Sequence, residues 1–144
     1  MYCLTVCPNL LKLNGTSGVI TSPFYPRLYP NNQACSWQIA ASKGNRIKLV
    51  IDHMKIDWCG TSCGCDYLEI QNGSIPGGSP SGRMCGFLMG SATFFSFKES
   101  LKLLFASDGY WWTNGFKSTY TQVNFSGKRC CILSLETTLE KNLY

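Results

Sequence analysis

A chain of 144 residues with 44% hydrophobic content, 8 Phe, 7 Tyr and 4 Trp has the material for one compact domain, two at most, and is too apolar to be disordered. Charged residues reach only 15%, against roughly 25% in an average soluble chain, and the thirteen Lys and Arg behind the net charge of +5 are scattered, which excludes the basic stripe of a nucleic-acid binder. No apolar window approaches the ~18 residues that a membrane span needs, so membrane insertion by this chain is not expected.

In chain order, Met1 to Gly15 has neither a basic start nor an apolar run of signal-peptide length. The sequence therefore reads as an excerpt of a longer secreted or membrane-anchored protein, or as a product lacking its leader. Gly18–Thr21 is the first short strand candidate, followed by the turn formers Ser22-Pro23, Tyr25-Pro26 and Tyr29-Pro30-Asn31-Asn32. Ala34–Ile39 is the next strand. Ile47, Leu49 and Ile51 alternate with Lys48, Val50 and Asp52, the period-2 pattern of a half-buried strand. Tyr67–Gln71 and Thr93–Phe97 are shorter candidates. Leu101, Leu103 and Phe105 alternate as before, as do Phe116, Ser118 and Tyr120. Asn72-Gly73, Pro76-Gly77-Gly78 and Ser107-Asp108-Gly109 punctuate these segments. Many short strands at this spacing predict an all-β antiparallel sandwich or barrel. From Ser126 the character changes: Gly127 to Cys131 is a basic break, and Ile132, Leu135, Leu139 and Leu143 carry only weak helical spacing.

Nine cysteines point to an oxidising, extracellular setting. Three Asn-x-Ser/Thr sequons, at Asn14, Asn72 and Asn124, point the same way and are candidate glycosylation sites. His53 is the only histidine and has no local catalytic partner, and Gly-x-Ser-x-Gly, a phosphate loop and a His-rich metal motif are all lacking. Catalysis is not expected.

Several segments occur in an order that resembles a CUB domain. These are Ser17 to Pro23, Tyr25-Pro26 through Tyr29-Pro30, Cys35-Ser36-Trp37-Gln38-Ile39, and Ile47 to Ile56. Then follow Cys63-Gly64-Cys65-Asp66-Tyr67-Leu68-Glu69-Ile70, Gly82 with Cys85-Gly86, Leu103 to Phe105, Ser107-Asp108, and Gly115-Phe116 with Tyr120. The resemblance implies a jelly-roll-like, disulfide-stapled sandwich of two mostly antiparallel sheets over 7–123. Residues 1–6 become an N-terminal extension and 124–144 a C-terminal appendage or linker. The function implied is that of a non-catalytic extracellular protein-interaction module.

By the same resemblance Cys7 pairs with Cys35 and Cys63 with Cys85, each bridge contributing roughly 3 kcal/mol in the chain-entropy account. Cys59 and Cys65 depart from the family pattern and lie close enough for a local bridge. Cys3, Cys130 and Cys131 remain, with Cys3–Cys130 one possible pair.

Many CUB domains bind calcium at one edge of the sandwich, and the corresponding positions here hold Asp57, Asp66 and Asp108. Converging carboxylates repel unless a hard divalent cation joins them. Asp57 stands where the family usually has Glu. The Tyr29 hydroxyl is expected to hydrogen-bond one of these acids rather than ligate the metal. In calcium-binding members a partner's Lys reaches such acids. The simpler alternative is that Asp66 and Asp108 cap turns and Asp57 is solvated. Tyr110, Trp111 and Trp112, beside Asp108, have the composition of a partner-binding surface. Competing readings are a free-standing spermadhesin-like binder of glycans or sulfated polysaccharides using Lys43, Arg46 and Lys48, an accessory domain of an extracellular protease, and a zinc-ordered domain using Cys59, Cys63, Cys65 and Cys85.

Overall fold

A computed structural model describes residues 7–60, 62–73, 82–110 and 113–124. Among these residues ten strands make two five-stranded sheets. The first sheet holds β1 (Leu11–Leu13), β3 (Ala34–Ala40), β9 (Ser100–Ala106), β5 (Tyr67–Gln71) and β6 (Arg83–Met84), in that spatial order. The second runs β2 (Ser17–Thr21), β10 (Gly115–Asn124), β4 (Asn45–Ile56) and β7 (Gly86–Phe87), with β8 (Ala92–Phe95) also paired to β4. Only β1 and β3 run parallel.

Alternation decides which residues face inward. Cys35, Trp37 and Ile39 of β3, Ile47, Leu49 and Ile51 of β4, Leu68 and Ile70 of β5, and Leu101, Leu103 and Phe105 of β9 all bury themselves between the sheets. β4 runs longer than its clean alternation suggests, because a bulge lies between Lys117 and Ser118 of β10 and the pairing of β4. Ile51 pairs with Ser118 and His53 with Lys117, so Asp52 is the extra residue. The bulge reverses the parity, which is why Met54 and Ile56 continue the inward face. His53 packs its ring 5.7 Å from that of Tyr25, a packing role. The short strands β1, β6 and β7, with two or three residues each, carry no readable periodicity and are additions to the sequence expectation.

The disulfides Cys7–Cys35, Cys59–Cys65 and Cys63–Cys85 are formed. Oxidation overturns the zinc alternative, since Cys59, Cys63, Cys65 and Cys85 have no thiolate left to ligate a metal. Cys3, Cys130 and Cys131, with any Cys3–Cys130 pair, lie outside the described residues.

The register places one end of the sandwich under special load. Tyr67 of β5 pairs with Ala106 of β9, so Asp66 and Ser107 leave the first sheet side by side. Lys55 of β4 pairs with Gly115 of β10, so Asp57 and Asn114 leave the second sheet together. The β4–β5 and β9–β10 connections therefore cross between the sheets at the same end, and the β2–β3 connection crosses there too. An aromatic ladder runs from the core toward this end. Trp37 meets Phe116 at 6.0 Å, Phe116 meets Phe105 at 5.7 Å, and Phe105 meets Tyr29 edge-on at 5.1 Å.

Candidate functional site: the acidic end of the sandwich

Asp66 is the centre of this end. Its residue is fully buried, and neither ion pair among the described residues, Arg46–Glu99 or Arg83–Glu69, involves it. The Tyr29 hydroxyl donates to Asp66 Oδ2 at 2.6 Å, and the backbone N–H of Asp108 donates to Oδ1 at 2.7 Å. The same Tyr29 oxygen accepts the backbone N–H of Asp57 at 3.0 Å. Tyr29 thus joins the two ends of the β4–β5 connection, and Asp66 draws in the β9–β10 connection through Asp108.

The β2–β3 connection holds the Asp108 loop from the other side. Asn32 N–H donates to the Asp108 carbonyl at 2.8 Å, and Asn31 Nδ2 donates to the Gly109 carbonyl at 3.0 Å. Ser107 Oγ donates to the Pro30 carbonyl at 2.8 Å and accepts Gln33 N–H at 3.0 Å. Asp108 Oδ1 accepts the N–H of Tyr110 at 2.8 Å, an Asx turn. Asp108 therefore has the turn-capping bond of the simpler alternative. Asp66 does not, because its two bonds reach distant segments.

Burial pushes the Asp66 carboxyl above the usual carboxylate range, and the charges of Asp108 and Asp57 push it further in the same direction. The Tyr29 hydroxyl and the Asp108 amide oppose that shift by bonding the ionised form. Burial, and the bond to Asp66, raise the Tyr29 phenol as well. The carboxylates interact, but among the described residues no three His, Cys, Asp or Glu side chains are gathered tightly enough to form a metal cage. In donor chemistry the residues nonetheless suit a hard cation. All donors are oxygens, each Asp66 oxygen keeps a lone pair beyond its one bond, and a buried carboxylate without a basic partner lacks positive charge.

The Cys59–Cys65 bridge, at a sequence separation of only 6, closes the loop whose ends lead to Asp57 and Asp66. Replacing both cysteines by serine is expected to cost about 2 kcal/mol by the chain-entropy account, measured by denaturant unfolding. A loss below about 0.5 kcal/mol would show that the loop is ordered without the bridge.

Of the aromatic partner-surface candidates, Tyr110 is 76% exposed, while Trp111 and Trp112 lie outside the described residues. Trp58, directly after Asp57, is 65% exposed as well. The sequence reading passed over it, although a Trp between an acid and a cysteine in a turn-rich stretch was a usable signal. Asn14, Asn72 and Asn124 are all exposed. Lys48, Lys55 and Lys117 project from the outer face of the second sheet, where Lys48 pairs with Thr121, Lys55 with Gly115 and Lys117 with His53.

Comparison with known proteins agrees with this architecture. The CUB domain family profile matches residues 7–120. Dog (Canis lupus familiaris) cubilin is 39% identical over 109 residues, covering 75% of this chain and 3% of cubilin. Human tolloid-like protein 1 is 32% identical over 110 residues, covering 76% of this chain and 11% of that protein. The chain thus spans only a small part of these relatives. Among solved structures, the full extracellular region of zebrafish Gpr126/Adgrg6 aligns with a TM-score of 0.71 at 27% identity, covering 81% of this chain and 15% of that one. The crystal structure of the MASP-1 CUB2 domain bound to Ca2+ aligns with a TM-score of 0.62 at 30% identity, covering 76% of this chain and 96% of that one. With the two-sheet sandwich, its disulfides and this match along most of its length, the chain belongs to the CUB domain family, the extracellular protein-interaction module also found in cubilin, tolloid-like proteins and MASP-1.

Proposed function

We propose that this domain is a calcium-dependent, non-catalytic module that docks a basic side chain of an extracellular protein partner at its acidic end. The observation that carries the reading is the fully buried Asp66 carboxylate, held by Tyr29 and the Asp108 amide, acted on by two further acids and, among the described residues, paired with no basic side chain. The calcium-bound MASP-1 CUB2 relative supports it. Asp57, Asp66 and Asp108 would hold the ion, with Tyr29 supporting Asp66. Calcium would supply charge neutralisation that orders the β4–β5 and β9–β10 connections. The acids' remaining edges, with the exposed Trp58 and Tyr110 next to Asp57 and Asp108 in the chain, would then receive a partner Lys or Arg. Glycan at Asn14, Asn72 and Asn124 fits the same extracellular setting and the exposure of these residues.

Thermal melts in millimolar calcium and in chelator test the metal. At 100 times its dissociation constant calcium adds about 2.7 kcal/mol, which raises the midpoint of a domain this size by roughly 10 °C. Asp108→Ala is expected to abolish that difference. An unchanged midpoint for the unaltered chain rejects the calcium site.

A second reading, sulfated-glycan binding, draws on Lys48, Lys55 and Lys117, which make no ion pair among the described residues. Replacing all three by Ser is expected to shift elution from a heparin column to markedly lower salt, in chelator as in calcium. Unaltered elution removes that reading.

A further inference from the structure

The β2–β3 connection carries two adjoining surface hollows. Phe24, Pro26, Arg27, Leu28 and Asn114 line a solvent-open hollow of about 630 Å3. Phe24 and Leu28 are shared with an adjoining hollow of about 290 Å3 that reaches Tyr29, Pro30 and Asn31.

Phe24 has φ of 62°, a left-handed backbone that is sterically costly for a bulky side chain, yet the residue is 51% exposed. Strain of this kind persists only where the surroundings over-determine the backbone, and it concentrates at binding sites. Here Tyr25 N–H donates to the Ser22 carbonyl at 3.2 Å and Arg27 N–H to the Phe24 carbonyl at 2.8 Å. Asn114 Nδ2 donates to the Pro26 carbonyl at 2.9 Å. The chain is thus pinned on both sides of a residue whose apolar ring faces water. Leu28, 48% exposed, lines both hollows with it.

Arg27 supplies the selectivity. Its guanidinium carbon lies 5.8 Å from the Phe24 ring centroid, and among the described residues it forms no ion pair. Among the described residues no side-chain hydrogen bond of Arg27 competes for its donors. An aromatic face orients a planar guanidinium while leaving its edge donors available, the arrangement that suits a carboxylate. Two adjoining apolar hollows with one free cation between solvent and ring complement a carboxylate flanked by large apolar side chains. An anionic membrane surface would call for several basic residues in one patch. Arg27 is the one cation lining either hollow among the described residues.

We propose that the hollows beside Phe24 and Leu28 bind an extended segment of a partner protein in which an acidic residue stands between large apolar residues. The site differs in charge from the acidic end and does not depend on calcium.

The test uses the whole chain in chelator, so that failure of the calcium reading leaves it unaffected. The probe is the capped peptide Ser-Leu-Asp-Phe-Ser, followed by amide chemical shifts. Saturable shifts are expected at Phe24, Arg27, Leu28 and Asn114, with the Lys-for-Asp peptide binding at least about tenfold more weakly. Arg27→Glu is expected to reverse that preference. Phe24→Gly removes the ring while placing the residue best suited to positive φ, so it is expected to lose about tenfold in peptide affinity and to melt no lower than the unaltered chain. The proposal is overturned by absent or non-saturable shifts at these amides, by equal binding of the Asp and Lys peptides, or by unchanged binding in either variant. Saturable retention on phosphatidylserine vesicles, with no response to the peptide, overturns it in favour of a membrane surface.

Discussion

Tyr29→Phe is expected to destabilise the domain by about 2–3 kcal/mol and to weaken calcium binding about tenfold, although it removes a single oxygen. That oxygen donates to Asp66 Oδ2 at 2.6 Å and accepts the Asp57 N–H at 3.0 Å, and the residue is only 1% exposed. Without it, a buried carboxylate loses one of its two donors, and the Asp57 loop loses its tie to Asp66. The ring stays, so the edge-on contact with Phe105 is retained and the loss is of polar origin.

The pH dependence has a definite sign. The Asp66 carboxyl is already raised by burial, and the Tyr29 bond is the larger of the two bonds that oppose the rise. Removing it pushes the carboxyl up again, so protons would compete more strongly with the proposed calcium ion. The affinity gap between Tyr29→Phe and the unaltered chain is therefore expected to widen as pH falls from about 8 to about 5.5. Denaturant unfolding in chelator gives the first quantity and calcium titration across pH the second. A variant within about 0.5 kcal/mol of the unaltered chain, with parallel calcium curves, would remove Tyr29 from the role assigned to it.

Gly115→Ala is expected to cost about 4 kcal/mol, a large share of the 5–15 kcal/mol typical of a domain. Gly115 opens β10 at φ of 81°, which disfavours any side chain. A Cβ there would fall 1.8 Å from Ser22 Oγ, 2.7 Å from Ser22 Cβ and 3.2 Å from Tyr29 Cδ1. Ser22 has little freedom to retreat. Its Oγ accepts Phe116 N–H at 3.0 Å, its own N–H donates to the Phe116 carbonyl at 3.1 Å, and it is 1% exposed. The substitution therefore combines backbone strain, overpacking and a broken buried bond. Because the same Cβ presses on the Tyr29 ring, calcium affinity is expected to fall together with stability. Unfolding in urea measures the first effect. A loss under about 1 kcal/mol would mean that the β2–β3 connection yields more easily than its bonds imply.

Much of the sandwich was readable because period-2 alternation is a local property. Ile47 to Ile51, Leu101 to Phe105 and Phe116 to Tyr120 announce inward faces without knowledge of their neighbours. The alternation fails at Asp52, where a bulge reverses parity, since a bulge is defined by its partner strand. Phe24 shows the same limit. In sequence it is one more aromatic between two prolines, and only the backbone conformation turns its ring toward solvent beside Arg27. Trp58 could have been noticed from its turn-rich setting, but its exposure follows from where β4 ends.

The sequence by itself determined the all-β class, the strand faces, the cysteine-rich oxidising character and the acids and aromatics available at the loops, because each depends on residue type and short-range spacing. Tertiary structure alone decided that Asp66 is buried, with no basic partner among the described residues, while bonded to Tyr29 and the Asp108 amide, since three inter-sheet connections must meet at one end before those residues touch. It also decided which lysines share an outer face and that Arg27 makes no ion pair among the described residues. Those features depend on strand register and loop closure across tens of residues, and local composition carries no record of either.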